Sequence, residues 1–254
     1  MFDSKKWLIL FFVLALLGSI GGSLVAFLIM DKKQKANVKT PPAAVVHVEP
    51  VVQPVAPPPT PVVAKVEEAK VETVIDENIK PDFEIVSREE WKAKPPVSAM
   101  KPHTPSVITI HHTATTPTPD KSISGKLRGL QEFSQHEGQL SSGKTKPAWA
   151  DLPYHFYIDV HGKVAEGIEL NYAADVIDYD ATGHVRIVVE GNFEKVEPTK
   201  EQMDALFKLV SWLSNKFKIP TDKISSHRAF MSTTSPGKNL ESRLDEIRQY
   251  AWKK

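Results

Sequence analysis

Three polar residues with the chemistry of a metal site lie at the ends of predicted strands or in the turn that follows. His111 is near the end of the segment PSVITIHHT, His227 follows DKISS, and Ser235 begins a Ser-Pro-Gly turn. Neutral imidazoles are good zinc ligands, and a catalytic zinc takes three protein ligands and a water. A serine hydroxyl is a poor third ligand, because it is neutral and hard to deprotonate. On spacing alone, two remote histidines in a chain with nine are more typical of surface or packing residues.

The elements that must position these residues alternate along the chain between strands and helices. Strands are predicted for the β-branched segments PSVITIHHT, VRIVVEG and DKISS, and a hairpin for PYHFYIDVHGKVAEG. Helices are predicted over residues 123–133, after a capping box that begins at Thr199, and over residues 240–247. Interleaved strands and helices indicate an α/β fold with a central mixed β-sheet flanked by helices. Strand ends are common places for functional sites in such sheets.

Local patterns around the strands predict which side chains are buried. Ser87 and Glu90 form a capping-box pattern that starts a short helix or turn and buries Trp91. His155 and His161 lie in the predicted hairpin, where exposure to solvent is expected. The lysine-rich segment SSGKTKPAW is predicted to be a solvated loop.

The N-terminal region differs in composition from the rest of the chain. After a short tail of residues 1–6, residues 7–30 carry no charge and are long enough to cross a membrane as a helix. No clear small-residue cleavage site precedes Asp31, which favours a retained transmembrane anchor over a secretory signal. Residues 31–81 form a Pro-, Val-, Lys- and Glu-rich linker, and a domain is predicted over residues 82–254. Lysines flank the apolar segment on both sides, so their count leaves its orientation open.

Composition excludes several classes of function. The chain has 32 Lys+Arg against 31 Asp+Glu, and its lysine-rich segments lack interleaved aromatic residues, so no nucleic-acid partner is predicted. The absence of cysteine excludes disulfides, Cys-liganded zinc and a thiolate nucleophile. Ser235 and His227 could pair as nucleophile and base, but no G-x-S-x-G elbow or orienting acid accompanies them, which disfavours that mechanism.

Six separated blocks from about Glu84 onward occur in the order of one family: IVSREEW, ITIHHTAT, LPYHFYIDVHGKVAEG, VEGNF, PTKEQMDAL and SHRAFMSTTSPG. In these blocks the chain resembles the type 2 N-acetylmuramoyl-L-alanine amidases and the related peptidoglycan recognition proteins. The resemblance implies an α/β domain with a zinc cleft that hydrolyses the lactyl–L-alanine amide of peptidoglycan. It implies His111 and His227 as zinc ligands, and Tyr154 as a catalytic residue that assists at the attacking water or the oxyanion.

The chain departs from this family pattern at the third zinc ligand. The family places cysteine, or aspartate in some branches, immediately before Pro-Gly, where this chain has Ser235. Family recognition proteins with serine at that position resemble non-catalytic binders. Because a neutral hydroxyl brings no charge, we expect weak zinc binding, and we expect Ser235→Cys to raise the zinc affinity. The segment YAADVIDYDATGHV also departs from the pattern, and whether His184 replaces the family's substrate-side histidine and asparagine stays open.

Two functions of different classes are compatible with these residues. One is a membrane-tethered domain that binds peptidoglycan without cutting it; the other is an active zinc-dependent amidase in which Ser235 or another donor completes the ligand set. Thr233 and His112 are predicted to bind substrate, although strand alternation turns His112 to the face opposite His111, where packing is the simpler role. Because peptidoglycan lies outside the cytoplasm, we expect a single-pass inner-membrane protein with its domain in the periplasm.

Overall fold

The computed structural model describes residues 76, 78–140, 143–177 and 179–252. None of the helices in these ranges is long and apolar enough to cross a membrane. The predicted anchor and most of the predicted linker lie outside the described residues. The described end of the linker already contacts the domain, because Asp76 N–H donates to Lys216 O at 3.0 Å and Trp212 Nε1 donates to Ile79 O at 3.1 Å.

A mixed six-stranded sheet lies at the centre of the domain, as the sequence predicts. The strands are β1 (Ile85–Val86), β2 (Val107–His112), β3 (Gly138–Gln139), β4 (Thr145–Lys146), β5 (Phe156–Ile158), β6 (Val164–Glu166), β7 (His184–Val189) and β8 (Ile224–Ser226). The order across the sheet is β1-β6-β5-β7-β2-β8, and β3 pairs with β4 in a separate hairpin. Within the large sheet, β5 and β6 are antiparallel and the other neighbours are parallel.

Within the described residues, four α-helices accompany the sheet. They are α1 (Ile123–Ser134), α2 (Lys200–Phe217), α3 (Lys238–Glu241) and α4 (Leu244–Tyr250). The predicted capping box at the start of α2 is confirmed, since Gln202 N–H donates to Thr199 Oγ1 and Thr199 N–H donates to Gln202 Oε1, both at 3.1 Å. The predicted last helix is two helices. Ser242 Oγ donates to Asn239 O at 2.8 Å at the break, a local bond that competes with helical pairing.

Alternation along β2 and β7 divides the core into two layers. Ile108, Ile110 and Ile187 are buried on the face that packs with α2, whose own apolar stripe of Leu206, Leu209, Val210, Leu213 and Phe217 is buried as predicted. Each such side chain stabilises the fold by about 1.5–3 kcal/mol on burial. Trp91 and Val188 belong to the second layer, which includes Leu127 of α1. Helices thus cover both faces of the sheet.

The SREEW segment forms the predicted capping turn. Ser87 N–H donates to the Glu90 carboxylate at 2.7 Å, and Glu90 N–H donates to Ser87 Oγ at 3.2 Å. Trp91 is fully buried, and its Nε1 donates to Glu166 O at 2.7 Å. His161 is exposed, as the hairpin predicts.

The expectation that His155 is exposed is wrong. This residue is fully buried, because both of its ring nitrogens have backbone partners from distant parts of the chain. Arg186 N–H donates to His155 Nδ1 at 3.0 Å, so Nε2 carries the proton and donates to Tyr172 O at 3.0 Å. A histidine with two such partners is a structural element of the core.

The expectation of a solvated loop is wrong for Lys146 within SSGKTKPAW. Lys146 is fully buried, and its ammonium donates to Ser134 O at 2.9 Å. The same ammonium lies 4.8 Å from the centre of the Phe133 ring and 4.7 Å from that of Trp149. Carbonyl oxygens and aromatic faces replace water around this charge.

Candidate functional site

The parallel register of β2 and β8 places His111 and His227 next to each other. Ile110 of β2 lies opposite Ser226 of β8, and His111 and His227 are the residues that follow them in the sequence. A 3₁₀ turn, His227–Ala229, begins where β8 ends. The two imidazole rings have their centres 4.2 Å apart. The structure therefore brings together two residues that are far apart in the sequence.

Tyr154 joins the two histidines at one end of a cleft. Its ring centre lies 5.4 Å from that of His111, in an edge-to-face arrangement. The cleft has a volume of about 710 Å³, and all six site residues predicted from the sequence line it: His111, His112, Tyr154, His227, Thr233 and Ser235. A larger depression of about 850 Å³ lies between β1, β6 and the first turns of α1 and α2, and none of these six residues lines it.

Ser235 contributes a hydrogen bond to the wall of the cleft. Its Oγ accepts from the backbone N–H of His112 at 3.2 Å, and its own N–H donates to Thr233 Oγ1 at 3.1 Å. Ser235 is buried. The hydroxyl that would stand in for a third metal ligand therefore fastens the loop to the end of β2.

His112 packs as strand alternation predicts. Its ring lies beside Phe193, with the ring centres 6.1 Å apart, and Phe193 N–H donates to His112 Nδ1 at 3.2 Å. Burial lowers the pKa of His112 to about 4, so the ring is neutral at physiological pH. Its predicted contact with substrate stays a prediction, as does that of Thr233.

Sequence reasoning missed Arg186, which lies beside His111 in the middle of β7. Its Nε donates to His111 Nε2 at 3.2 Å, and its Nη1 donates to Pro153 O at 2.6 Å. The guanidinium carbon lies 5.1 Å from the centre of the Tyr154 ring and 5.8 Å from that of Tyr179. The available signal was a lone charge in the otherwise apolar strand segment VRIVV, which must face a cavity or a partner when the strand is buried on both faces.

The residues around Arg186 are held in neutral forms. Burial, followed by the charges of Arg186 and His227, keeps the pKa of His111 well below its usual range. Burial raises the pKa of Tyr154 against the opposing effect of Arg186, so the phenol keeps its proton. His184 adds a further neutral ring, since burial lowers its pKa to about 4 and its Nδ1 lies 2.7 Å from Thr109 Oγ1.

The donor set of the cleft does not fit a zinc ion. Over the residues that the structure describes, no three His, Asp or Glu side chains are grouped so that they could hold a metal. His111 and His227 supply two imidazoles, and the third position is a neutral serine whose oxygen already accepts a hydrogen bond. A catalytic zinc needs three protein ligands with an open fourth position.

These observations define a mixed α/β domain whose cleft carries two facing histidines and a tyrosine near the carboxyl end of its central strands. Residues 101–238, more than half of the chain, match the family described as N-acetylmuramoyl-L-alanine amidase. The chain belongs to this family, as the sequence blocks predict.

Peptidoglycan recognition proteins are among its similar proteins. Peptidoglycan-recognition protein SD of Drosophila simulans is 30% identical over 172 residues, which cover 66% of this chain and 88% of that protein. The crystal structure of the Drosophila protein SD matches with a TM-score of 0.55 and 30% identity, over 65% of this chain and 95% of that chain. The structure of peptidoglycan recognition protein LE in complex with tracheal cytotoxin, a monomeric diaminopimelic acid-type peptidoglycan, matches with a TM-score of 0.54 and 25% identity, over 64% of this chain and 92% of that chain.

Proposed function

We propose that this protein is a membrane-tethered peptidoglycan-binding protein whose amidase-family cleft holds a muropeptide and does not cut it. The observation that carries the proposal is a cleft with the family's histidine pair and tyrosine, but without three metal-binding side chains among the described residues. Relatives named for peptidoglycan recognition, one of them in complex with a peptidoglycan fragment, support the ligand class.

The composition of the cleft suits such a ligand. Trp149, Ile177 and Met231 line the cleft with apolar groups, while Tyr154 and Thr233 contribute hydroxyl groups. Pockets that combine apolar walls with a few placed polar groups bind ligands with defined orientation. A stem peptide with apolar and amide groups fits both kinds of surface.

Hydrolysis of an amide requires an activated nucleophile and a stabilised oxyanion, which binding does not require. Water is a poor nucleophile, and the developing oxyanion needs a Lewis acid or preorganised donors. His111 and His227 supply two imidazoles, and Ser235 supplies only a neutral hydroxyl, whose oxygen already accepts from His112 N–H. This donor set supports binding without turnover.

Co-sedimentation of the purified full-length chain with insoluble peptidoglycan tests binding, and mass spectrometry of the supernatant tests cleavage. We expect the chain to sediment while no peptides with N-terminal L-alanine are released. Ile177→Glu should weaken sedimentation about tenfold, equivalent to about 1.4 kcal/mol, because Ile177 is exposed at 38% in the cleft wall. The matched control is Val196→Glu, which alters another exposed apolar side chain (47%) outside the cleft lining and should bind normally.

Two results would contradict the proposal. A chain that remains in the supernatant with soluble control proteins does not bind peptidoglycan. Release of L-alanine peptides by the unmodified chain, abolished by His111→Ala, would establish the active amidase instead.

We further propose that residues 7–30 anchor the protein in the inner membrane and that the domain lies in the periplasm, where peptidoglycan is found. The length and lack of charge of this segment support an anchor. A reporter enzyme that is active only in the cytoplasm, fused after Lys254, should be silent. A strong cytoplasmic signal would refute the periplasmic placement.

A further inference from the structure

We infer that Arg186 keeps zinc out of this cleft, so that restoring the third ligand at Ser235 does not by itself restore the metal site. The guanidinium is the fixed cation of the cleft, beside one of the two candidate zinc ligands. The inference concerns metal binding, and it can fail or hold whether or not the chain binds peptidoglycan.

The first step concerns the lone pair of His111. A neutral imidazole has one nitrogen with a proton and one with a free lone pair. A guanidinium has donors and no acceptor, so the 3.2 Å contact from Arg186 Nε requires that His111 Nε2 be the lone-pair nitrogen. The proton of His111 then lies on Nδ1. Neither nitrogen is available to a metal while this hydrogen bond lasts.

The second step concerns the alternative tautomer. If zinc approached Nδ1 instead, the proton would have to move to Nε2, where it would face the N–H of Arg186. Two donors would then point at each other in a buried place, with neither satisfied. Either route to a metal therefore requires Arg186 to leave its position.

The third step is that Arg186 is fixed. Its relative exposure is 4%, its Nη1 donates to Pro153 O at 2.6 Å, and its guanidinium lies over the rings of Tyr154 and Tyr179. Its backbone is fixed as well, because its N–H donates to His155 Nδ1. A cation so held also repels a divalent ion, and its burial reduces the screening of that repulsion.

Metal titration of the purified full-length chain tests the inference. Zinc affinity is measured by calorimetry after chelation, and Co²⁺ absorption spectra report thiolate ligation and tetrahedral geometry. We compare the unmodified chain with Ser235→Cys, alone and combined with Arg186→Met or Arg186→Ala. The matched control combines Ser235→Cys with Arg128→Gln, which removes an arginine outside the cleft lining that donates to Trp91 O.

We expect Ser235→Cys alone, and with Arg128→Gln, to bind zinc weakly. Either double variant that lacks Arg186 should bind one zinc per chain about a hundredfold more tightly than Ser235→Cys, with a tetrahedral cobalt spectrum. Arg186→Met keeps a side chain of similar size without a donor or a charge, so it serves if Arg186→Ala does not fold; circular dichroism checks each one. Stoichiometric zinc on Ser235→Cys alone, equal in affinity to the double variant, would overturn the inference. So would a folded double variant that gains no affinity over Ser235→Cys.

Discussion

Lys126 and Arg186 are both buried cations of this domain, yet their surroundings differ. Lys126 Nζ lies 2.7 Å from the Glu190 carboxylate, and both side chains are almost fully buried. Glu190 in turn accepts from the N–H groups of Thr118 and Val160, at 2.8 and 3.1 Å. The charges of this pair are balanced, and the group ties α1 to the end of β7.

Arg186 has neutral partners instead of a carboxylate. Its side chain donates to an imidazole nitrogen of His111 and to the carbonyl oxygen of Pro153, and it lies over the aromatic ring of Tyr154. A buried charge that is paired with an opposite charge contributes to the stability of the fold. A buried charge that is surrounded only by dipoles is not neutralised, so its electric field still acts on a ligand in the cleft. The difference separates a structural ion pair from a residue of the cleft.

The largest expected effect is the loss of stability in Lys126→Met. This substitution leaves the Glu190 carboxylate buried without its counter-ion, and we expect the free energy of unfolding to fall by about 3–5 kcal/mol. Arg186→Met is the matched comparison. It leaves no orphaned anion, but His111 Nε2 and Pro153 O lose their donor, so we expect a smaller loss of about 1–3 kcal/mol.

Urea unfolding of the full-length chain, followed by tryptophan fluorescence, measures both variants. Adding Glu190→Gln to Lys126→Met should recover much of the lost stability, because the pair is then neutral. Equal losses for Lys126→Met and Arg186→Met would abolish the distinction drawn between the two cations.

A smaller loss of stability is expected in acid, and the buried ring of His155 causes part of it. Burial lowers the pKa of His155 to about 3, while an exposed histidine in the unfolded chain has a pKa of about 6.5. Below about pH 6.5 the unfolded state therefore binds a proton that the folded state does not bind. The contribution of His155 to the free energy of unfolding is complete above that pH and is lost as the pH falls toward 3. At pH 5 this histidine alone should lower the free energy of unfolding by about 2 kcal/mol.

Unfolding curves at pH 7 and pH 5 measure this dependence. His155→Gln should reduce it, because glutamine cannot be protonated, while the buried His111, His112 and His184 account for the remainder. The exposed His136→Gln is the matched control that should leave the dependence unchanged. An acid dependence that His155→Gln does not reduce would show that other groups cause it.

The sequence predicts well those features that depend on neighbouring residues. The capping box of Thr199 and Gln202, the apolar stripe of α2 and the hairpin of β5 and β6 follow from spacing over a few positions. The six site residues were named from family blocks, and the structure places all six in one cleft. Their catalytic and binding roles stay predictions.

Features that depend on distant partners escaped prediction. His155 is buried because its partners are the backbone groups of Tyr172 and Arg186. Lys146 is buried because the carbonyl of Ser134 and the ring of Trp149 come together around it. Polar residues resemble surface residues until the groups that satisfy them are known, and those groups are set by the topology of the sheet.

The short pairing of β8 with β2 has a consequence for the order in which the domain is made. β8 lies at the edge of the sheet and covers Ile108, Thr109 and Ile110 of β2. Until Ile224–Ser226 leave the ribosome, β2 is itself an edge, with unpaired backbone groups on an apolar strand that could pair with another chain. His227 arrives with the same segment, so a nascent or truncated chain that lacks it has neither a completed cleft nor a protected sheet. The completed cleft and the protected sheet edge are therefore acquired together, at a late moment of synthesis.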